Sequence, residues 1–171
     1  MNNIISIREY TSLDKTILLE ILKLNIPEYF VESELEDLSN YLDNEIERYF
    51  VIELNHEIIG AGGINFENDY TVGKISWDFI HPKYQKLGIG RKLLQHRLDI
   101  LKSMKSIETI SVRTSQLTFK FYEKNGFIKA YAQVTDIGHV QNDLQIRKRR
   151  NLTLILAGNL ILFRDIYTVL T

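Results

Sequence analysis

The stretch from Val72 to Met104 constrains the fold more than any other part of the chain. Val72 to Ile80 reads as a long strand, with polar and apolar residues alternating from Lys74 to Phe79. His81-Pro82 closes it, since proline donates no N–H and holds the residue before it extended. Gly88 to Met104 then predicts a helix, because Ile89, Leu93, Leu94, Leu98 and Leu101 recur at helical spacing as one apolar stripe. A strand that feeds a long helix through a glycine-bearing turn points to an α/β fold.

The remaining elements fit around this unit. Ile4 to Ile7 predicts a first strand, and a helix starts at Thr11 or Ser12 and runs to about Asn25. Its apolar face is Ile17, Leu18, Ile21, Leu22 and Leu24, and Pro27 ends it. A second helix covers Glu32 to Leu42, with Leu35, Leu38 and Leu42 on one side. Tyr49–Leu54 and Glu57–Ile64 read as a hairpin around Asn55-His56. Ile107–Val112 is a strand, Leu117–Lys124 a short helix stopped by Asn125-Gly126, and Phe127–Val134 a returning strand. Strands alternate with helices only in the second half. The expected sheet is therefore mixed, mostly antiparallel and six- or seven-stranded, flanked by helices. One domain spans residues 1–150, followed by an apolar tail over 151–171 that is expected to add a strand or join two copies as a homodimer.

Composition narrows the chemistry. The chain of 171 residues has no cysteine, which removes disulfides, thiolate metal sites and a cysteine nucleophile. The four histidines lack metal-ligand spacing, so no metal is expected. The amino terminus lacks a basic segment followed by a long apolar one, so the expected location is cytoplasmic. The tail is interrupted at Gly158-Asn159 and falls short of the roughly 20 residues that span a bilayer, so no membrane partner is expected. Arg147 to Arg150 is a basic run without an aromatic platform, so neither is a nucleic acid. The net charge of −1 conceals a split. Residues 1–80 carry 5 Lys/Arg against 16 Asp/Glu, and residues 81–171 carry 16 against 6. Such a split fits either two oppositely charged halves that attract each other within one fold, or a basic surface for an anionic ligand and an acidic one for a cationic ligand.

The turn Gln85-Lys86-Leu87-Gly88-Ile89-Gly90-Arg91 carries the chemistry. The first N–H groups of a helix have no partner inside it, and the helix dipole adds partial positive charge there. Glycines let a phosphate approach the backbone, and Lys86, Arg91 and Lys92 add full charges. The pattern is neither a P-loop nor a Rossmann fingerprint, since Leu93 stands where the third glycine belongs.

Gln85-x-x-Gly88-x-Gly90 resembles the Q/R-x-x-G-x-G/A signature of the GNAT superfamily of acyl-CoA-dependent N-acetyltransferases. Phe121-Tyr122-x-x-x-Gly126-Phe127, about thirty residues on, resembles its second motif. The resemblance implies acetyl-CoA as cosubstrate, lying between the strand that ends at Ile80 and the strand Ile107–Val112. Backbone groups of Phe79 and Ile80 would meet the pantetheine arm. Those of Gln85, Lys86, Leu87, Gly88, Ile89, Gly90 and Arg91 would hold the pyrophosphate. A small-molecule or peptidyl primary amine would attack the thioester directly, with the Ile80 N–H stabilising the oxyanion and Tyr122 protonating the departing thiolate. Phe121 is expected to be the core residue of that pair. The general base stays open between Asp78 and Glu67, and Glu28, Glu32, Glu34, Glu36 and Asp37 are candidates to meet a cationic acceptor. A non-catalytic acyl-CoA-binding sensor is the alternative reading.

Overall fold

The computed structural model describes residues 4–114, 116–133 and 143–149. In chain order the elements are β1 (Ile5–Glu9), α1 (Lys15–Lys23), α2 (Glu34–Asn44), β2 (Arg48–Leu54), β3 (Glu57–Glu67), β4 (Val72–Ile80), α3 (Ile89–Ser103), β5 (Thr109–Thr114), α4 (Gln116–Lys124), β6 (Ile128–Gln133) and β7 (Asp143–Arg149). They build one seven-stranded sheet in the order β1-β2-β3-β4-β5-β7-β6. Every neighbouring pair is antiparallel except β4–β5. The mixed, mostly antiparallel sheet read from the sequence is therefore present. The tail over 151–171, and with it the strand or dimer expectation, lies outside the described residues.

Two apolar layers cover the sheet. On one face α1 and α2 pack through Leu18, Ile21, Leu22, Leu38 and Leu42 against Tyr49, Val51, Ala61 and Phe79. On the other, α3 and α4 pack through Leu93, Leu94, Leu98, Leu101 and Tyr122 against Phe50, Ile52, Ile64, Ile75 and Val112. Each fully buried leucine contributes roughly 1.5–3 kcal/mol. The helical spacing over-assigned two positions: Ile17 and Leu24 are exposed, the latter because α1 ends at Lys23. Asn125-Gly126 stops α4 as expected. Gly126 takes a left-handed φ of 85°, and the Phe127 N–H donates back to the Tyr122 carbonyl at 3.2 Å.

Strand β4 is where the sheet opens. It pairs with β5 only from Val72↔Thr109 to Ile75↔Val112, then continues to Ile80 paired with β3 alone. The β3–β4 register slips between Ala61 and Gly63, and Trp77 stands at a φ of 50°, which marks a bulge. Adjacent residues Ser76 and Trp77 both turn to the α1–α2 side. Ser76 shares Asn65 with Tyr41 of α2, and Trp77 packs in the α1–α2 layer. From Asp78 onward the faces are therefore reversed relative to an unbroken alternation, and β4 bends away from β5 to leave a wedge between them.

Candidate active site

The upper wall of the wedge is the end of β4. His81 N–H donates to the Ile59 carbonyl at 2.8 Å, with Gly60 and Ile80 as directly opposed residues. In an antiparallel ladder this makes Gly60–Ile80 a non-hydrogen-bonded pair, so the N–H and C=O of Ile80 point away from β3 and into the wedge. The Ile80 carbonyl is already held: Asn25 Nδ2 donates to it at 3.3 Å and Gln85 Nε2 at 3.1 Å. Gln85 Nε2 also donates to Asn25 Oδ1 at 2.8 Å. The Ile80 N–H is left facing the opening. Phe79 alternates the other way. Its backbone serves the β3 ladder and its ring packs under α1, so of the two strand-end residues read from the sequence only Ile80 faces the wedge.

The turn after β4 leads straight into α3. His81 Nδ1 accepts from the Lys83 N–H at 3.1 Å. Lys86 and Gly88 take left-handed φ values of 62° and 79°, and Gly88 caps α3. The first helical bond recorded here runs from the Lys92 N–H to the Gly88 carbonyl, so the amides before it point outward from the helix end. A Cβ on Gly88 would meet nothing within 4 Å, whereas one on Gly90 would touch Ile80 and the Phe121 ring at 3.7–3.9 Å. Lys86, Leu87 and Arg91 are exposed around this turn, and Ile89 is buried in the core. The Gln85 N–H donates to the Pro82 carbonyl at 3.3 Å, and its side chain joins Asn25, just after α1, to the end of β4.

Next to the strand end lies a polar cluster whose members are buried except for the partly exposed Asp78. Tyr122 of α4 donates its hydroxyl to Asp78 Oδ2 at 2.8 Å. Arg97 of α3, with 0% exposure, donates through Nη2 to the same oxygen at 2.9 Å and through Nη1 to Asp78 Oδ1. Its Nη1 also reaches the Gly63 carbonyl at 3.3 Å, and its Nε the Leu93 carbonyl at 3.2 Å. Burial, reinforced by the Asp78 charge, pushes the Tyr122 phenol well above the ordinary tyrosine range, so it keeps its proton at neutral pH. Burial works against the Arg97 charge, but Asp78 outweighs it and the guanidinium stays protonated.

Two readings of single residues change here. Tyr122 is the buried member of its pair, while Phe121 is only partly buried and lies beside Gly90. Glu67 pairs with Val72 at the far end of β4 and forms an exposed ion pair with Lys74, so it is remote from the wedge. Asp78 is at the site, but it already bonds Arg97 and Tyr122. Glu28, Glu32, Glu36 and Asp37 are exposed around α2, and Glu34 Oε2 accepts from the Val31 N–H. Sequence reasoning missed Asn25 and Arg97. An arginine inside the apolar stripe Leu93, Leu94, Leu98, Leu101 was the signal for the second. Among the described residues no cluster of three potential metal-ligating side chains occurs, and no helix is long and apolar enough to cross a membrane.

Known proteins share the family pattern and the fold. Residues 18–127 match the family model described as Acetyltransferase (GNAT) family. The UPF0157 protein YqkA of Bacillus subtilis (strain 168) is 26% identical over 152 residues, covering 84% of this chain; the chain spans 44% of that protein's length. A putative GNAT-family acetyltransferase from Desulfovibrio desulfuricans superposes with a TM-score of 0.72 at 15% identity, covering 85% of this chain and 99% of that one. The PaiA N-acetyltransferase of Thermoplasma acidophilum, solved with coenzyme A, superposes at 0.65 with 20% identity, covering 86% and 99%. At these identities the two structures establish a shared fold.

Proposed function

The chain belongs to the acetyltransferase (GNAT) family, and from that premise we propose that it transfers an acetyl group from acetyl-CoA to a primary amine, in the cytoplasm and without a metal. The observation that carries this reading is the Ile80 N–H, turned away from β3 beyond the last β4–β5 pair, on a strand whose Asp78, two residues earlier, accepts the Tyr122 hydroxyl. The residues fit the cosubstrate: the strand end offers an amide where a pantetheine arm needs one, and the space at Gly88 lets a phosphate reach the backbone.

Acetyl-CoA supplies the activated thioester. The amides from Lys86 to Arg91 hold its pyrophosphate, those of Gly88 to Arg91 being free at the start of α3, with the Lys86 and Arg91 charges beside them. The Ile80 N–H donates to the thioester oxygen as negative charge grows there. Tyr122, protonated at neutral pH, gives a proton to the departing sulfur. The acidic residues around α2 attract a cationic small-molecule or peptidyl acceptor.

Calorimetry with acetyl-CoA tests the cosubstrate, and a panel of small amines and amino-terminal peptides, read by thiol release, tests the transfer. Gly88→Val puts a β-branched residue at a left-handed φ on the phosphate side, so acetyl-CoA affinity should fall at least about tenfold while the fold persists. Equal affinity in the variant rejects the cradle. Binding without turnover on the whole panel returns the reading to a non-catalytic acyl-CoA sensor.

A further inference from the structure

The geometry points to Arg97 as a positioning residue for Tyr122: forked onto Asp78, it holds the carboxylate against the phenol and balances the charge that appears when the phenol gives up its proton. This rests on the reading of the wedge given above. Arg97 lies among Leu93, Leu94, Leu98 and Leu101, where an apolar side chain would fill the space without the cost of burying a charge. Besides its bonds to the Gly63 and Leu93 carbonyls, what the guanidinium adds over such a residue is its fork onto Asp78, whose side chain remains partly exposed. Arg97 Nη2 and the Tyr122 hydroxyl meet the same carboxylate oxygen, at 2.9 and 2.8 Å. A displacement of that oxygen therefore displaces the hydroxyl. The glycine at position 62 makes room, because a Cβ there would stand 2.6 Å from Arg97 Nη1.

The charge balance gives the arrangement its use. At rest Asp78 is negative, Arg97 positive and Tyr122 neutral, so the cluster sums to zero. During transfer the amine nitrogen bonds the acetyl carbon and sheds a proton to water while the C–S bond breaks; the Tyr122 O–H turns from Asp78 to the leaving sulfur, its bond breaks as an S–H bond forms, and the electron pair stays on the phenolate oxygen. Water entering the wedge later returns the proton. With Arg97 the cluster reaches one negative charge, and without it two anions would sit side by side at low dielectric. The cluster is Asp78 from β4, Arg97 from α3 and Tyr122 from α4, and the titratable groups that interact with it include Tyr49 from β2, Tyr41 from α2 and His96 from α3.

The test needs no acceptor. Coenzyme A and desulfo-coenzyme A are compared by calorimetry at about pH 10, above the ordinary cysteine range, where an alkyl thiol is substantially ionised. The wild type should prefer coenzyme A by about tenfold, the scale of one hydrogen bond to a charged group. Tyr122→Phe and Arg97→Gln should each reduce that preference to within about twofold, and the double variant should lose no more than either. Arg97→Lys keeps the charge but not the fork, so its preference should fall partway; it decides the matter if Arg97→Gln does not fold. A wild-type preference in the Arg97 variants overturns the proposal, and so does a further loss in the double variant. No preference in the wild type removes the Tyr122–sulfur contact, and this proposal with it, while the cofactor site stands. Failure of both ligands to bind overturns the proposed function itself.

Discussion

Asp14 shows how much one side chain holds at the start of the fold. It ends the 3-10 turn Ser12–Asp14, accepts from Arg8 at 2.7 and 2.9 Å, and accepts from the Thr11 N–H at 2.8 Å. The Arg8 guanidinium, assisted by Thr11, holds its carboxyl below the usual carboxylate range. A depressed folded-state pKa contributes stability above the unfolded value, about 3.9, and loses it as pH falls through the folded value. Asp14→Asn should therefore cost about 1–3 kcal/mol at pH 7, and the deficit should shrink steadily below about pH 4. Urea melts at pH 7 and pH 3 check this, and a deficit that is the same at both rejects it. The sequence signalled this residue as part of a helix start, since threonine and aspartate at that spacing satisfy orphan N–H groups. It could not signal Arg8, six residues earlier on β1, because that contact depends on how the chain turns between the strand and the helix. Tyr122 was legible for a comparable reason, through the local Phe-Tyr-x-x-x-Gly-Phe pattern. Its partners Asp78 and Arg97 lie 44 and 25 positions away in the chain, and only the packed sheet joins them.

Among the elements, β4 and its neighbour β3 decide the site. The range Val72–Ile80 was readable from alternation and the following proline, and the structure gives the same bounds. The bulge at Trp77 was not readable, because strict alternation continues through it in sequence. That bulge moves Asp78 to the α3–α4 side, which is why its role stayed open. The glycines of β3 answer the same event. Gly62 lies below the Asp78–Arg97 pair and Gly63 below Tyr49 and the Tyr41 hydroxyl. Burial, the main cause, pushes that Tyr41 hydroxyl up to about 12. Gly62→Ala should cost about 2–4 kcal/mol, since its methyl must displace a buried charged pair. Gly90→Ala, whose methyl meets only ordinary contacts, should change stability by less than about 1 kcal/mol. Denaturant titration of both variants separates them, and similar losses would contradict the glycine assignment.

For the whole molecule, the central fact is that β4 and β5 are joined by four residue pairs. The seven-strand order was legible only in outline. Element types follow from local periodicity, but the order β5-β7-β6 depends on which edges meet late in the chain. Hydrogen exchange offers a direct view of the opening. In the free protein the Ile80 amide should exchange much faster than that of Ile75 within the ladder, and coenzyme A should slow it at least about tenfold. Unchanged exchange at Ile80 with coenzyme A bound would place the pantetheine arm elsewhere. The same short joint has a thermodynamic consequence. Antiparallel strands β1 to β4 form one raft, β5 to β7 another, and a molecule seated between them closes the seam as a missing strand would. Any such molecule binds the folded chain alone, so the melting temperature becomes a gauge of its concentration. At a hundred times its Kd it adds about 2.7 kcal/mol to the free energy of unfolding. A drop in the supply of that molecule would then lower the protein's resistance to proteolysis together with its turnover, so that abundance and activity follow the same metabolite.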